Sequence, residues 1–218
     1  MNPVLTIMDI LQQNYIIPVI VIDKIDHAIP LANTLVDAGF SVMEITLRTP
    51  CALDAIRQIA QKVPKAILGA GTIITPNQLA EAKAAGAKFA VSPGISQQLV
   101  SKAKEEKLAY LPGIATVSEA IFAYELGFKQ LKFFPAETMG GTKALSALSA
   151  VLPALQFCPT GGINIDNFIN YLKLPQVPCI GGTWMAPRSL IKQGKFLEIT
   201  LLCKQSQKNY NLFLINNK

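Results

Sequence analysis

The sequence is poor in the residues that most often bind metals or form disulfides. Its 218 residues include a single histidine, His27, and four cysteines without CxxC spacing, Cys51, Cys158, Cys179 and Cys203. Because protein zinc sites combine several Cys, His or carboxylate ligands at close spacing, no metal site is expected. Cysteines without pairing or secretory context are typical of reduced thiols, so we expect a cytoplasmic protein.

Long hydrophobic runs and dense charge are also missing. Apolar stretches such as residues 16–22 are far shorter than the ~20 residues that span a bilayer, and no signal-like leader begins the chain. The net charge is +6, and much of the excess lies in residues 188–218. That region lacks stacking aromatics and a dense basic stripe, so it predicts a solvated C-terminal helix, with neither nucleic acid nor membrane as partner.

What the sequence does contain is a repeated strand-then-helix pattern. Between short apolar runs, segments such as residues 28–36 follow the helical period. Eight such units in a chain of this size predict the α/β class and a single (β/α)8 TIM barrel domain over residues 1–218. An additional N-terminal helix is expected at about residues 6–14. Residues 207–218 are expected as a flexible C-terminal tail, unless residues 212–215 dock on a neighbour. The eight apolar runs are residues 16–21, 41–46, 66–71, 88–92, 108–112, 130–134, 155–160 and 178–181.

Several helix ends have their own sequence signals. Residues 75–78 (TPNQ) and 116–119 (TVSE) both fit a capping box. Thr49 and Pro50 would place a proline at the first position of a helix, and Gly39 stands where a helix following residues 28–36 should end.

Lys132 is the most unusual residue of the predicted core. It lies within "QLKFFPAE", residues 130–137, between Leu131 and Phe133. Burying a lysine ammonium without a partner is costly. In a barrel strand, alternate side chains face the helices and the interior, so Lys132 is predicted to point inward near the carboxyl end of strand six, where barrel enzymes place their chemistry.

Other polar side chains are predicted to face the same interior. In "MEITLRTP", residues 43–50, Glu44, Thr46 and Arg48 alternate with apolar residues, and Thr72 and Thr160 end two further strands. Any one acid–base pair is more often an interior ion pair that fixes register. An acid, a lysine, an arginine and two hydroxyls at one end of one barrel favour a catalytic site instead.

This set of residues suits Schiff-base chemistry. A lysine in an apolar setting near another cation loses its proton more easily, and the neutral amine attacks a ketone to form an iminium that draws electrons from the adjacent carbon–carbon bond. Glu44 could transfer protons, and Arg48 could bind a substrate carboxylate through two parallel hydrogen bonds.

Two glycine pairs follow the last two predicted strands, where barrels often bind phosphate through backbone N–H groups. They are Gly161–Gly162 and Gly181–Gly182. Either pair alone is more often a plain turn, but the paired occurrence favours a phosphate site. Neither "GAGT" at residues 69–72 nor "GGTKAL" at 140–145 completes a nucleotide-binding motif, so no nucleotide cofactor is expected.

Taken together, these motifs resemble the family of 2-dehydro-3-deoxy-phosphogluconate (KDPG) aldolases that also cleave 4-hydroxy-2-oxoglutarate (KHG). The resemblance covers nearly the whole chain, in order. The matching segments are "IPVIVI" at 17–22, "EITLRT" at 44–49, "GAGT" at 69–72, "SPG" at 92–94, "PGIATVSE" at 112–119, "KFFPAE" at 132–137, "CPTGGI" at 158–163 and "IGGTW" at 180–184.

The resemblance implies a role for each candidate residue. Lys132 would be the Schiff-base lysine, and Glu44 would transfer protons through a water. The pyruvyl end would be bound or lined by Arg48, Thr72, Pro93, Phe134 and Thr160, and the phosphate side by Gly161, Gly162, Gly181, Gly182 and Thr183. The resemblance also implies a cytosolic, metal-independent homotrimer that acts on a small keto acid in carbohydrate metabolism, in the Entner–Doudoroff pathway.

Other readings remain open at this point. The chain could be a related 2-dehydro-3-deoxy-6-phosphogalactonate aldolase, because the sequence does not fix the C4 stereochemistry. A sugar-phosphate isomerase or epimerase is disfavoured, since the chain lacks the expected metal ligands or paired acids. A non-catalytic phosphate-binding barrel is the rival from another class.

Overall fold

The computed structural model describes residues 5–216 and shows parallel strands alternating with helices. The strands are β1 Ile16–Ile20, β2 Val42–Thr46, β3 Ile67–Gly71, β4 Phe89–Val91, β5 Ala109–Leu111, β6 Gly113–Ile114, β7 Gln130–Phe133, β8 Gln156–Pro159 and β9 Ile180–Gly182. The α-helices are α1 Ile7–Leu11, α2 Ala28–Asp37, α3 Ala52–Lys62, α4 Pro76–Ala84, α5 Gln97–Glu105, α6 Val117–Glu125, α7 Gly141–Val151, α8 Phe168–Leu172, α9 Arg188–Gln193 and α10 Phe196–Asn216. The predicted α/β class is confirmed.

The strands form two hydrogen-bonded sheets. One has the order β5-β4-β3-β2-β1-β9, and the other has the order β6-β7-β8. Pro112 alone separates β5 from β6, and a single parallel bridge between Thr160 and Gly181 connects the end of β8 to β9. All the pairings are parallel, so the carboxyl ends of the strands lie at one edge of each sheet.

Each of the eight predicted runs overlaps a strand, and one more short strand follows the fifth run. The run predicted at residues 108–112 is strand β5, and a further strand, β6, begins directly after Pro112. Proline has no N–H to donate, so it interrupts the hydrogen-bond ladder at this point. Its carbonyl still accepts a hydrogen bond of 2.9 Å from the backbone N–H of Lys132, and Gly113 pairs with Lys132 in register. The break therefore helps to fix the position of Lys132.

Both predicted capping boxes are confirmed. The backbone N–H of Thr75 donates to Oε1 of Gln78 at 3.1 Å, and that of Thr116 donates to Oε2 of Glu119 at 2.9 Å. Gly39, with φ of 83°, follows the end of α2 as predicted. These local signals act over three or four residues, which is why the sequence alone reveals them.

Two helix boundaries differ from the prediction. Helix α3 begins at Ala52, so Pro50 is not its first residue. The hydroxyl of Thr49 instead donates to the carbonyl of Ile22 at 2.6 Å, which ties this segment to the loop after β1. The N-terminal helix is present as α1 but spans only Ile7–Leu11.

Buried apolar side chains form two clusters on opposite faces of the strands. The larger cluster contains Leu131, Phe133 and the buried faces of helices α2 to α10. The smaller one, here called the inner cluster, comprises Ile10, Leu11, Ile17, Val42, Phe89, Val91, Leu111, Cys158 and Cys179. Strand alternation places Lys132 on the opposite face of β7 from Leu131 and Phe133, as predicted.

The C-terminal region is helical as far as the structure describes it. Helix α10 extends to Asn216, so residues 207–216 form part of a helix rather than an irregular tail, while residues 217 and 218 lie outside the described residues. The flexibility of this segment stays a prediction. Within residues 5–216, no helix has both the length and the hydrophobicity needed to cross a membrane.

Candidate active site

A cavity of about 320 Å³ opens at the carboxyl ends of the strands. Of the twelve residues predicted for the site, eleven line this cavity, and Gly182 is the exception. The lining also includes three residues to which no role had been assigned, Val19, Thr46 and Ile163. The full lining is Val19, Glu44, Thr46, Arg48, Thr72, Pro93, Lys132, Phe134, Thr160, Gly161, Gly162, Ile163, Gly181 and Thr183.

Lys132 and Glu44 form a buried ion pair in this cavity. The Lys132 ammonium donates to Oε1 of Glu44 at 3.5 Å, and the two side chains are only 7% and 6% exposed. The separation is long for such a hydrogen bond, so the amine is loosely held. Lys132 Nζ also lies 5.2 Å from the centre of the Phe134 ring. Because burying both charges costs several kcal/mol each, a loosely bonded pair here fits a reactive site better than a structural one.

The space that Glu44 occupies is created by a glycine on the neighbouring strand. A Cβ atom on Gly71 would lie 2.0 Å from Glu44 Oε1 and 2.5 Å from its Cδ. Any side chain at position 71 would therefore displace the carboxylate. No role was predicted for Gly71, which lies at the end of the predicted run 66–71 and within "GAGT", because closeness across strands cannot be deduced from spacing along the chain.

Arg48 is oriented by Thr46. Arg48 Nε donates to Thr46 Oγ1 at 3.1 Å, and the buried Thr46 hydroxyl donates in turn to the carbonyl of Ile20 at 2.9 Å. Within residues 5–216, no carboxylate lies within 4.0 Å of the Arg48 guanidinium. Arg48 is also exposed, so its guanidinium is available to bind an anion.

Thr72 has a strained backbone at the cavity wall. Its φ is 60°, a left-handed value that a β-branched residue rarely adopts. Hydrogen bonds on both sides hold it there, from Leu47 N to Gly71 O at 2.9 Å and from Ile73 N to Val91 O at 3.1 Å. Such strain is concentrated at functional sites, where the surrounding structure enforces a particular side-chain direction.

Pro93 is placed by close backbone packing. A Cβ atom on Gly113 would lie 2.4 Å from the Pro93 carbonyl, so only a glycine at position 113 lets the two segments approach. The buried Ser92 hydroxyl donates to the Gly94 carbonyl at 2.5 Å and shares a hydrogen bond with the Tyr110 hydroxyl. These contacts fix the turn that brings Pro93 to the cavity.

The glycine pair after β8 forms a second wall. Gly161 and Gly162 have φ values of 103° and 76°, which only glycine adopts readily. The Gly161 carbonyl accepts from the backbone N–H of Glu137 at 3.0 Å. Glu137 also packs against Gly162 and accepts a hydrogen bond from the Tyr171 hydroxyl, so this turn is held from outside the cavity. Burial, followed by the bond to Glu137, raises the pKa of Tyr171.

The last strand brings Gly181 and Thr183 to the same wall. A Cβ atom on Gly181 would lie 2.3 Å from Thr160 Oγ1, so the glycine leaves room for that hydroxyl. At Gly182 a side chain would be directed away from the cavity, because a Cβ atom there would lie 2.0 Å from the indole ring of Trp184. Gly182 therefore supports the wall without lining the cavity.

The described residues contain no cluster of side chains suited to binding a metal ion. Across residues 5–216, no three His, Cys, Asp or Glu side chains converge in a way that could hold an ion. The absence of a cofactor stays a prediction.

The chain is similar to aldolases along most of its length. The family model described as "Aldolase: KDPG and KHG aldolase" matches residues 7–202. The 2-dehydro-3-deoxy-phosphogluconate aldolase of Dickeya dadantii is 48% identical over 197 residues, covering 90% of this chain and 92% of that protein. The KHG/KDPG aldolase of Escherichia coli K12 has the same identity and coverage.

A solved structure is similar over nearly the same length. It is the crystal structure of KDPG aldolase from Legionella pneumophila with pyruvate captured at low pH as a covalent carbinolamine intermediate. That chain is 43% identical to this one, and the alignment covers 89% of this chain and 95% of that one, with a TM-score of 0.87.

Proposed function

Because this chain belongs to the KDPG and KHG aldolase family, we propose that it reversibly cleaves 2-dehydro-3-deoxy-6-phosphogluconate to pyruvate and glyceraldehyde 3-phosphate. We propose the parallel cleavage of 4-hydroxy-2-oxoglutarate to pyruvate and glyoxylate as a second activity, since relatives carry both names. The observation that carries the proposal is the buried pair of Lys132 and Glu44 in the cavity at the carboxyl ends of the strands.

In the proposed complex, the pyruvyl end of the substrate lies between Arg48 and Lys132. The uncompensated guanidinium of Arg48 binds the carboxylate, with the Thr72 hydroxyl as a second donor. Thr160 and Pro93 line this end, and the Phe134 ring packs beside the reacting carbon. This arrangement holds the C2 carbonyl close to the Lys132 amine in a fixed orientation, which lowers the barrier to their reaction.

The chemistry then follows from the amine and the carboxylate. The Lys132 ammonium first gives a proton to Glu44, and the neutral amine then adds to C2 to form a carbinolamine, which loses water to give an iminium. Glu44 assists removal of the C4 hydroxyl proton through a water, and the C3–C4 bond breaks. Its electron pair moves into the iminium to give an enamine, and glyceraldehyde 3-phosphate leaves. Protonation at C3 and hydrolysis release pyruvate and restore the amine.

The substrate's phosphate is assigned to the opposite wall. Gly161, Gly162 and Gly181 expose backbone there, Thr183 adds a hydroxyl, and Gly182 supports the strand from behind. Backbone N–H groups next to glycines are common phosphate ligands in barrel enzymes. The iminium serves as the electron sink, so the proposed reaction uses neither a metal nor a nucleotide cofactor.

We also propose two larger-scale features. The bridge from Thr160 to Gly181 and the single-residue gap at Pro112 support one closed (β/α)8 barrel, which an experimental structure with β8 separated from β9 would contradict. The second is a homotrimer, the assembly that the family resemblance implies. On α6, the large apolar residues Val117, Ile121 and Tyr124 are 44–48% exposed, which supports self-association through this helix. Sedimentation equilibrium of Ile121→Glu should show loss of trimers, and a native protein that sediments as a monomer refutes this assembly.

Borohydride trapping tests the covalent mechanism. Incubation with pyruvate and sodium borohydride should fix a stable adduct on Lys132, located by peptide mapping. Lys129 is an exposed lysine on the approach to the same strand, so it is the internal control and should remain unmodified. An adduct on Lys129 alone, or no adduct in protein that still cleaves KDPG, would exclude Lys132 as the Schiff-base residue.

Turnover measurements separate the remaining alternatives. Pyruvate release is compared for the gluconate and galactonate C4 epimers and for KHG, with Lys132→Met as the background. We expect the gluconate epimer to be preferred. A preference for the galactonate epimer would reassign the substrate, and no release above that background would favour a non-catalytic phosphate-binding barrel.

A further inference from the structure

The last two-thirds of helix α10 lie beyond the part of the chain that matches the family model. The match ends at residue 202, whereas α10 continues to Asn216. This extension, residues 203–216, is packed on the rest of the protein. The Tyr210 ring stacks on Tyr15 with centroids 3.6 Å apart and planes 9° apart, and Gln207 Nε2 donates to the Ala38 carbonyl at 2.6 Å.

One residue of the extension connects it to Trp184. Ser206 is fully buried, and its hydroxyl accepts a hydrogen bond of 3.1 Å from the Trp184 indole N–H. The same hydroxyl donates to the carbonyl of Leu202 at 3.0 Å, one helical turn earlier. Ser206 is therefore held in one orientation by its own helix and presents its oxygen to the indole.

Trp184 in turn packs directly on the wall assigned to phosphate. Its ring covers Gly182 so closely that a Cβ atom on the glycine would lie 2.0 Å from it. The residues on either side of Gly182, Gly181 and Thr183, line the catalytic cavity. Trp184 also lines a neighbouring cavity of about 310 Å³ that shares Val19, Arg48 and Thr183 with the catalytic one.

We propose that Ser206 is a positioning residue for the phosphate end of the site. Its hydrogen bond fixes the Trp184 ring against Gly182, and the ring fixes the backbone between Gly181 and Thr183. The C-terminal extension thereby determines how well that backbone is arranged to receive phosphate. The proposal rests on the proposed aldolase function, because it assigns this wall to the substrate's phosphate.

The kinetic test uses Ser206→Ala and two substrates. Loss of the hydrogen bond should raise KM for KDPG about three- to tenfold, with kcat changed less than twofold. KHG carries no phosphate, so its KM should not change. Ser149→Ala is the matched control: Ser149 is also a buried helical serine, but its hydroxyl has no hydrogen-bond partner among residues 5–216. This control should leave both KM values unchanged.

A spectroscopic test is independent of the reaction. Trp184 is the only tryptophan of the chain, so its fluorescence reports the indole environment directly. Ser206→Ala should shift the emission maximum of the ligand-free protein, and Ser149→Ala should not. An unchanged emission spectrum in Ser206→Ala would overturn the proposed contact.

A double-mutant cycle shows whether Ser206 acts through Trp184. Trp184→Phe keeps an aromatic ring on Gly182 but removes the N–H donor, so adding Ser206→Ala to it should raise KM no further. Additive effects, or equal KM changes for KDPG and KHG, would reduce Ser206 to a general packing role and refute the proposal. If the native protein does not cleave KDPG, the proposed function fails, while the emission shift still decides whether Ser206 holds Trp184.

Discussion

Replacing Gly71 with alanine should impair proton transfer by Glu44 although Glu44 itself is unchanged. The new Cβ would lie 2.0 Å from Glu44 Oε1, and ordinary contact begins at 3.4 Å, so the carboxylate must move by about 1.4 Å (3.4 minus 2.0). Gly71 does not have a positive φ, so an alanine there brings no left-handed strain. The effect of Gly71→Ala should therefore come from the displaced carboxylate.

The expected loss of activity follows from that displacement. A positioned acid–base group contributes roughly 10²- to 10⁴-fold to rate, and a misplacement of about 1 Å can cost about 10²-fold. We expect kcat for KDPG cleavage to fall about 10²-fold in Gly71→Ala. Crowding in the core should lower the free energy of unfolding by about 1–3 kcal/mol, which leaves the protein folded under assay conditions.

The assay is steady-state pyruvate release, with thermal melts to confirm folding. Gly94→Ala is the matched control, because a Cβ atom on Gly94 meets nothing within 4 Å. Borohydride trapping of pyruvate should still label Lys132 in Gly71→Ala, because the imine forms on the Lys132 amine and the substitution displaces the Glu44 carboxylate. A folded Gly71→Ala protein with native kcat would refute the reasoning that places Glu44 in the proton transfers.

Two further predictions concern the backbone at the cavity and a surface ion pair. Thr72→Gly should relieve the left-handed strain and raise the melting temperature by about 2–4 °C. The same substitution should raise KM for KDPG, because the Thr72 hydroxyl is lost. A lower melting temperature would argue against strain at this position. Arg188 forms two hydrogen bonds with Asp23 and lowers the pKa of that carboxyl. A lowered pKa stabilises the fold above the unfolded value of about 3.9, and this contribution is lost as the pH falls through the folded value. Asp23→Asn should therefore lower the melting temperature slightly at pH 7 and by less at pH 3, where part of this contribution has been lost. An equal difference at both pH values would exclude this linkage.

Alternation along single strands made much of the site predictable. A charged residue flanked by apolar ones, as at Glu44 and Lys132, indicates which face of a buried strand points away from the helices. The predicted repeat then brings both residues to the same edge, and the structure places them 3.5 Å apart. Capping signals at Thr75 and Thr116 were visible for a similar reason, because each depends on residues only a few positions apart.

Features that depend on contacts between distant segments could not be predicted. The space beside Glu44 depends on Gly71 of the adjacent strand, and the hydrogen bond of Trp184 depends on Ser206. The positive φ of Thr72 runs against the preference of its residue type, so local propensity predicts the opposite. Strand β6 begins directly after Pro112, where the run predicted at residues 108–112 ends.

The pairing of β1 with β9 has a consequence for biosynthesis. Ile16 aligns with Ile180, so the first strand waits for its partner until most of the chain has left the ribosome. Lys132 and Glu44, 88 positions apart, likewise meet only after many intervening residues have been synthesised. Contacts of such long range slow folding, so the nascent polypeptide spends an extended period with one edge of β1 unpaired and without catalytic competence. Recovery of aldol cleavage after dilution from denaturant would thus report the closing steps of folding rather than the early collapse.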